Sequence, residues 1–259
     1  MKTAWLTLYG RPAPLGAQVD PARDRVHGAE RELAASELRF EPPVTGTVYG
    51  TALNFRGALA ALGAAVSAPP YQAPPRAPIL YIKPRNTWIG RGAPIPLPAG
   101  HEAVAIGPSL GLVIGRSATR VTAAAALEHV AGYTIVNDVA LPHSNLFRPA
   151  IAQQCRDGFC PIGPWVLAAG DLTDPDDVAI RVLINGQQRL ASHTRELIRP
   201  VRQLLADVTE FMTLRSGDIL MVGLPEHLPL ARAGDQVVVE IEGLGRLENP
   251  VLSASAVPP

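Results

Sequence analysis

The stretch VAIRVLINGQ, residues 178–187, decides how the chain is read. Val178 to Ile184 is strand-sized and rich in β-branched residues, and it stops at Asn185-Gly186, the dipeptide best suited to a two-residue type I′ hairpin turn. A second strand is therefore expected to begin near Gln187. The same pattern recurs outward from this hairpin. Short apolar runs at Thr47 to Leu53, Ile79 to Lys83, Leu110 to Ile114, Tyr133 to Val139, Ile219 to Val222 and Gln236 to Ile241 are each bounded by Gly, Pro or Asp. Gly217-Asp218 and Gly234-Asp235 open two of these strands as turns. Helices are few: an Ala-rich segment from Thr122 to Val130 with Thr122 as cap, and Pro200 to Leu214, whose apolar residues fall at helical spacing with Pro200 in the first turn. Ser67 to Pro78, with five prolines, is expected as an extended loop. The pattern predicts a mainly β (α+β) fold.

Composition sets the outer limits. With 259 residues, 47% of them hydrophobic, the chain can bury one large core, or one core plus a small appendage. Residues 1–45, polar in the middle and closed by Pro42-Pro43, are read as a small N-terminal segment, and 46–259 as the main domain. The 23 basic and 23 acidic residues cancel, and no run of like charge could track a phosphate backbone or an anionic membrane. Neither nucleic acid nor membrane is expected as a partner. The opening MKTAWLTLYGRPAP lacks a signal-like apolar stretch, and no segment approaches the ~20 apolar residues of a membrane span, so a cytoplasmic location is expected. Cys155 and Cys160, five apart, fit neither a disulfide framework nor a zinc pattern and read as ordinary thiols.

Several segments, in fixed order, resemble the fumarylacetoacetate hydrolase family. Ala52-Leu53-Asn54-Phe55-Arg56 is similar to its Leu-Asn-Tyr motif, Tyr81-Ile82-Lys83-Pro84 to its Phe-x-Lys-Pro strand, and Gly132-Tyr133 through Asn137-Asp138-Val139 to its Gly-Tyr-x-x-x-Asn-Asp-Val segment. Pro161-Ile162-Gly163-Pro164-Trp165 resembles its Pro-x-Gly-Pro-Trp loop, and Gly245-Arg246-Leu247-Glu248-Asn249-Pro250-Val251 its terminal signature. The resemblance covers roughly 46 to 251 and implies a rolled mixed β-sheet with short flanking helices, usually dimeric or pseudo-dimeric. Arg148-Pro149-Ala150 and the run from Cys155 to Pro161 look most like the isomerase/decarboxylase branch of the family, which acts in 4-hydroxyphenylacetate breakdown, and within it like an N-terminal half or subunit.

The family's chemistry, by that resemblance, rests on a divalent cation (Mg²⁺ or Mn²⁺) that chelates a 2-oxo acid and polarises its carbonyl. Its ligands come from a Glu-x-Glu pair and from the Asp of the Asn-Asp-Val segment. Here Gly107 and Ser109 stand where the two glutamates belong, and Asp138 is the one retained metal ligand. A weak or absent metal site is therefore expected, unless Glu102, upstream of Gly107, compensates through a loop rearrangement. The family's lid His and Glu fall at Ala58 and Ala61, its Lys at Gln154, and its Thr pair at Val222 and Leu224. The remaining polar candidates are Asn54, Arg56, Lys83, Arg148, Arg156 and Asp157 for substrate carboxylates, with Asp138 and His143 as catalytic candidates that move a proton. Each has a plainer reading: Lys83 as a surface residue, Arg156 and Asp157 as an internal ion pair. His129 and His193 read as ordinary surface histidines.

Two functions follow from the resemblance. One is a subunit of an isomerase/decarboxylase that handles 2-hydroxyhepta-2,4-diene-1,7-dioate and 5-oxopent-3-ene-1,2,5-tricarboxylate, small 2-oxo or 2-hydroxy acids with two or three carboxylates. The other is a metal-less, inactive paralogue that completes a hetero-oligomer with a homologous C-terminal-type subunit carrying Glu-x-Glu. A homodimer is the simpler assembly.

Overall fold

The hairpin around residue 185 forms as its sequence dictates. Ala179–Ile184 pairs antiparallel with Gln187–His193, and Asn185 (φ 53°) and Gly186 (φ 78°) both take the left-handed conformation that a type I′ turn requires. The computed structural model describes residues 1–11, 13–28, 31–70, 72–143 and 150–256. Arg148, one of the substrate-binding candidates, lies outside the described residues.

Strands dominate. The N-terminal segment supplies β1 (Lys2–Leu6), β2 (Leu15–Asp20), β3 (Arg25–His27) and β4 (Glu32–Ala34). After it come β5 (Val48–Ala52), β6 (Ile79–Lys83), β7 (Trp88–Ile89), β8 (Ile95–Leu97), β9 (Val104–Ala105), β10 (Pro108–Ile114), β11 (Val130–Asn137) and β12 (Cys160–Ala168). The C-terminal part adds β13 (Ala179–Ile184), β14 (Gln187–His193), β15 (Ile219–Met221), β16 (Leu230–Ala231), β17 (Gln236–Ile241) and β18 (Gly245–Ser253). Three short α-helices are described: α1 (Arg56–Ala60), α2 (Ile151–Gln154) and α3 (Val201–Phe211).

Among the described residues, an eleven-stranded mixed sheet runs in the order β4-β3-β2-β1-β12-β11-β10-β15-β5-β6, with β7 also pairing β12. The β15–β5 and β12–β7 pairs are parallel and the others antiparallel. The N-terminal meander is thus stitched into this sheet through β1 and β12, and a buried Arg91 ties Asp24 of the meander to Glu248 of β18. A five-stranded sheet, β14-β13-β17-β18-β8, packs on its central strands. Alternation in β13 and β17 sends Ile180, Val182, Val237, Val239 and Ile241 into the space between the sheets, where they meet Leu110, Leu112, Ile135 and Trp165. β10 is buried at every position, its Val113 joining a second apolar cluster with Val136, Ile162 and Ile219 of the same sheet, against which Val44, Tyr81 and Trp88 pack.

Two helical expectations need correction. Thr122 to Val130 is not an α-helix but a turn followed by a 3₁₀ segment, Ala126–His129, because the chain must enter β11 at Val130. The His129 carbonyl is already committed to the backbone amides of Gly115 and Arg116. Pro200 precedes α3 as its cap rather than sitting in its first turn, and Asp176 accepts the Val201 N–H at 2.7 Å. Val201, Leu204, Leu205 and Val208 face the core as their spacing predicts, whereas Phe211, at the last turn, is exposed.

Candidate active site

Asn137 and Asp138 sit where β11 ends against the start of β10. The Asn137 side chain accepts from the Gly107 amide at 3.2 Å, and the Asp138 amide donates to the Gly107 carbonyl at 2.7 Å. The approach is so close that a Cβ on residue 107 would lie 2.4 Å from the Asp138 carbonyl oxygen. Glycine is a packing requirement at that point, and it frees Asp138 to turn its side chain off the strand end.

The Asp138 carboxylate is fully buried and meets two side chains of β6. The Lys83 ammonium, itself without exposure, lies 2.8 Å from Oδ1. That approach makes an ion pair by distance but not a directed hydrogen bond, since Lys83 aims its protons at the carbonyls of Val139 (3.1 Å) and Gln154 (2.5 Å). The Tyr81 hydroxyl donates to Oδ2. Burial first, then the neighbouring Asp138 charge, holds the Tyr81 pKa well above its ordinary value, so the phenol stays protonated and acts as a donor. Cys160, behind this cluster, is pushed up to about 12 by burial, and the half-buried Cys155 is also raised by burial; both thiols are free.

Tyr81 and Asp138 open on a cavity of about 380 Å³. Thr51, His143 and Gln154 complete its polar lining; Leu53, Ala58, Leu141, Leu224, Pro225, Leu228 and Leu230 make the rest apolar. His143 Nε2 lies 3.4 Å from the Gln154 side chain. Two buried polar side-chain atoms, Thr51 Oγ1 and His143 Nδ1, lack a partner among the described residues, and Asp138 Oδ1 has only its ion pair with Lys83. All three belong to this one cavity. Buried polar groups are normally paired, so two orphans beside a buried carboxylate mark a place where a ligand can supply the partners. Leu53, with φ +56°, stores backbone strain at the same wall. A larger groove of about 490 Å³ lies elsewhere, between β2, β13 and β17, but Arg246 and Glu240 pair with each other there, Lys2 is bonded to the Gly243 carbonyl, and no candidate residue lines it.

The sequence candidates divide accordingly. Lys83, Asp138 and His143 come together, and Lys83 is not at the surface. Asn54 is buried beside the cavity, but its side chain is spent on Arg199 N, Arg199 O and Val222 O, clamping two loops. Arg56 is exposed on α1 and donates to the Arg195 carbonyl. Arg156 donates to the Ala152 carbonyl and Asp157 accepts from Asn86, so those two do not form the internal ion pair that was one reading of them. His129 and His193 stay on loop backbone and neighbouring charges. Sequence reasoning missed Thr51 and Tyr81, which line the cavity, and Gly50, which packs beneath the Tyr81 ring. Only Tyr81 carried a signal, a hydroxyl where the family has Phe.

A divalent ion does not fit the donors as arranged. Both Asp138 oxygens face a proton donor or a cation, the Ser109 hydroxyl donates to the Gly223 carbonyl at 2.8 Å, and the space for a side chain at 107 is taken. Glu102 is exposed and does not line the cavity. Among the described residues no group of three or more His, Cys, Asp or Glu is placed to hold a metal.

The two packed sheets, with a carboxylate emerging where β11 meets β10, match a known architecture. The profile described as fumarylacetoacetate (FAA) hydrolase C-terminal covers residues 47–252, and the chain belongs to that family. It is 43% identical over 208 residues to the 4-hydroxyphenylacetate degradation bifunctional isomerase/decarboxylase of Salmonella dublin, across 80% of this chain and 47% of that protein. The chain thus spans about half the length of the curated relatives it matches. Among solved structures it is similar to 5-carboxymethyl-2-hydroxymuconate delta-isomerase from Mycobacterium smegmatis (TM-score 0.79, 30% identity, 98% of this chain and 99% of that one). It is also similar to 2-hydroxyhepta-2,4-diene-1,7-dioate isomerase from Mycobacterium marinum (TM-score 0.75, 26% identity, 98% of each). These relatives are enzymes acting on small carboxylates. No helix among the described residues is long and apolar enough to cross a membrane.

Proposed function

We propose that this chain is the isomerase-type unit of a 4-hydroxyphenylacetate-pathway isomerase/decarboxylase, tautomerising 2-hydroxyhepta-2,4-diene-1,7-dioate to its 2-oxo-3-ene form. The observation that carries the reading is the convergence of unpartnered Thr51 Oγ1 and His143 Nδ1 with the Asp138 carboxylate on one cavity. An enol hydroxyl can donate to a remaining lone pair of the Asp138 carboxylate, while a carboxylate can accept from Thr51 and His143. Tautomerisation then needs only a proton lifted from the enol oxygen and one delivered to carbon, work for Asp138 and His143 as base and acid. Decarboxylation demands an electron sink at the 2-oxo group, for which these residues hold no strong electrophile. The donor set around Asp138 supports weak or no binding of a divalent cation in this chain.

A second reading is favoured by Gly107 and Ser109: a non-catalytic half that completes a hetero-oligomer with a homologue carrying Glu-x-Glu. The half-length match to the isomerase/decarboxylase relatives agrees with it. One assay separates the two. The purified chain is given the dienol substrate, and loss of its ultraviolet absorbance is followed with a chelator, with Mg²⁺, and with a Glu-x-Glu homologue added. Turnover in chelator that disappears in Asp138→Asn supports the isomerase. Turnover only with the added homologue supports the structural half. Turnover that requires Mg²⁺ in this chain alone refutes the metal-poor site.

A further inference from the structure

Tyr81 and Lys83 are two residues apart on β6, so their side chains leave the same face of the strand. Both end on Asp138, one at each carboxylate oxygen. Tyr81 can reach it because its ring lies over Gly50, its cross-strand partner in β5. A Cβ on Gly50 would fall 2.1–2.6 Å from three ring carbons, so only glycine leaves the ring this path. The arrangement is a built one: a glycine that seats an aromatic ring, a hydroxyl at its tip, and a lysine two residues on.

A divalent ion approaching Asp138 would have to take the same lone pairs. Lys83 cannot give way towards solvent, because it has no exposure and is anchored to the Val139 and Gln154 carbonyls. Two positive centres on one carboxylate repel. The Tyr81 hydroxyl closes the remaining oxygen from the cavity side, the side from which an ion would arrive.

We propose that Tyr81 is a cation-excluding residue: with Lys83 its hydroxyl occupies the seat of a divalent ion on Asp138 and presents the cavity with a hydrogen-bonded, metal-free carboxylate. The inference deepens the functional reading above and rests on it only in taking Asp138 to face the working cavity. It depends on no turnover.

The test is a Mn²⁺ titration of the full chain, with free ion read by its electron paramagnetic resonance signal. Four proteins are compared: the parent, Tyr81→Phe, Ser109→Glu, and the double variant. Phenylalanine keeps the ring over Gly50 and removes only the hydroxyl, so Tyr81→Phe should still unfold cooperatively by circular dichroism, a few degrees below the parent for the lost charge-assisted bond. Removing the hydroxyl should tighten Mn²⁺ binding about tenfold or more, both in the parent and in the Ser109→Glu background, the effect of freeing one charge-assisted contact. Adding Asp138→Asn should abolish the gain. Equal Mn²⁺ affinity with tyrosine or phenylalanine in both backgrounds, including no saturable binding in any of the four, overturns the proposal. If none of the proteins turns over the dienol, the functional reading fails while the Mn²⁺ comparison still stands.

Discussion

Replacing Lys83 by methionine removes the cation from a carboxylate that has no water to turn to. At 2.8 Å the pair attracts by about 6 kcal/mol at an effective dielectric constant of about 20, a gross figure that desolvation of both ions largely offsets. The cost of breaking it is set instead by the charge left behind: about 3–5 kcal/mol when one partner of a buried pair is deleted. Two acceptors, the carbonyls of Val139 and Gln154, lose their donor as well. At an unfolding entropy of about 2.1 cal/mol/K per residue, the melting temperature should fall by about 6–9 °C. Asp138→Asn should also destabilise, by leaving the ammonium unpaired. The double variant Lys83→Met/Asp138→Asn carries no buried charge, and it should be more stable than the two single losses added together, by about 2–3 kcal/mol. Urea unfolding of the four proteins measures this coupling directly. Additive losses would refute the claim that these charges are a unit, and with it the description of the site.

Three further outcomes are expected. Thr51→Val removes a buried hydroxyl that has no partner among the described residues, so the melting temperature should hold or rise while KM for the dienol substrate increases several-fold; a destabilised variant with unchanged KM would show that the hydroxyl serves the fold instead. Gly107→Ala pushes a Cβ onto the Asp138 carbonyl oxygen and should cost about 1–3 kcal/mol in thermal melting, whereas an unchanged melt would mean that β10 and β11 do not converge this closely. Cys160 and Tyr133, held at about 12 against ordinary values of 9.0 and 10.0, are protonated in the folded chain where the unfolded chain has lost its protons. The contribution of Cys160 is whole below pH 9 and that of Tyr133 below pH 10, and each is lost as pH climbs towards 12, at about 1.4 kcal/mol per pH unit within its own window. Urea midpoints of Cys160→Ala should fall less steeply over this range than those of the parent, and parallel curves would count against the burial of the thiol.

How far the sequence could be read depended on whether local signals and tertiary demands coincided. At β6, β17 and the 185–186 turn they did, and the expected limits match the observed ones. β12 and β18 escaped notice because each carries proline, which ordinarily counts against a strand, and β1 to β4 because they are short and flank or interrupt a polar, charged stretch, Asp20 to Glu32, that reads as a loop. The segment at 122–130 had alanines enough for a helix, yet the strand beginning at Val130 left it no room to complete one. At the candidate site, Asp138 and Lys83 were legible through motif order and His143 through its place just past Asp138. Thr51 and Gly50 were not, since their importance comes from which residues face them across β5 and β6, a register invisible in a single strand. Arg56, Arg156 and Asp157 carried the same signal as any clamp, but their charges serve backbone and side chains of nearby loops.

β6 lies at the outer end of the large sheet, paired with β5 on one side alone among the described strands, and its Ile79 and Ile82 face solvent. Tyr81 and Lys83 therefore hold Asp138 from the part of the sheet that can fray first. The carboxylate is presented by β11, one of the most enclosed strands, and secured by one of the least enclosed. Amide hydrogens of residues 79–83 should exchange by local opening well before those of β10 to β12, and each such opening would unlatch the cavity wall while the two-sheet core stays folded. The site thus has its own stability, lower than that of the domain that carries it.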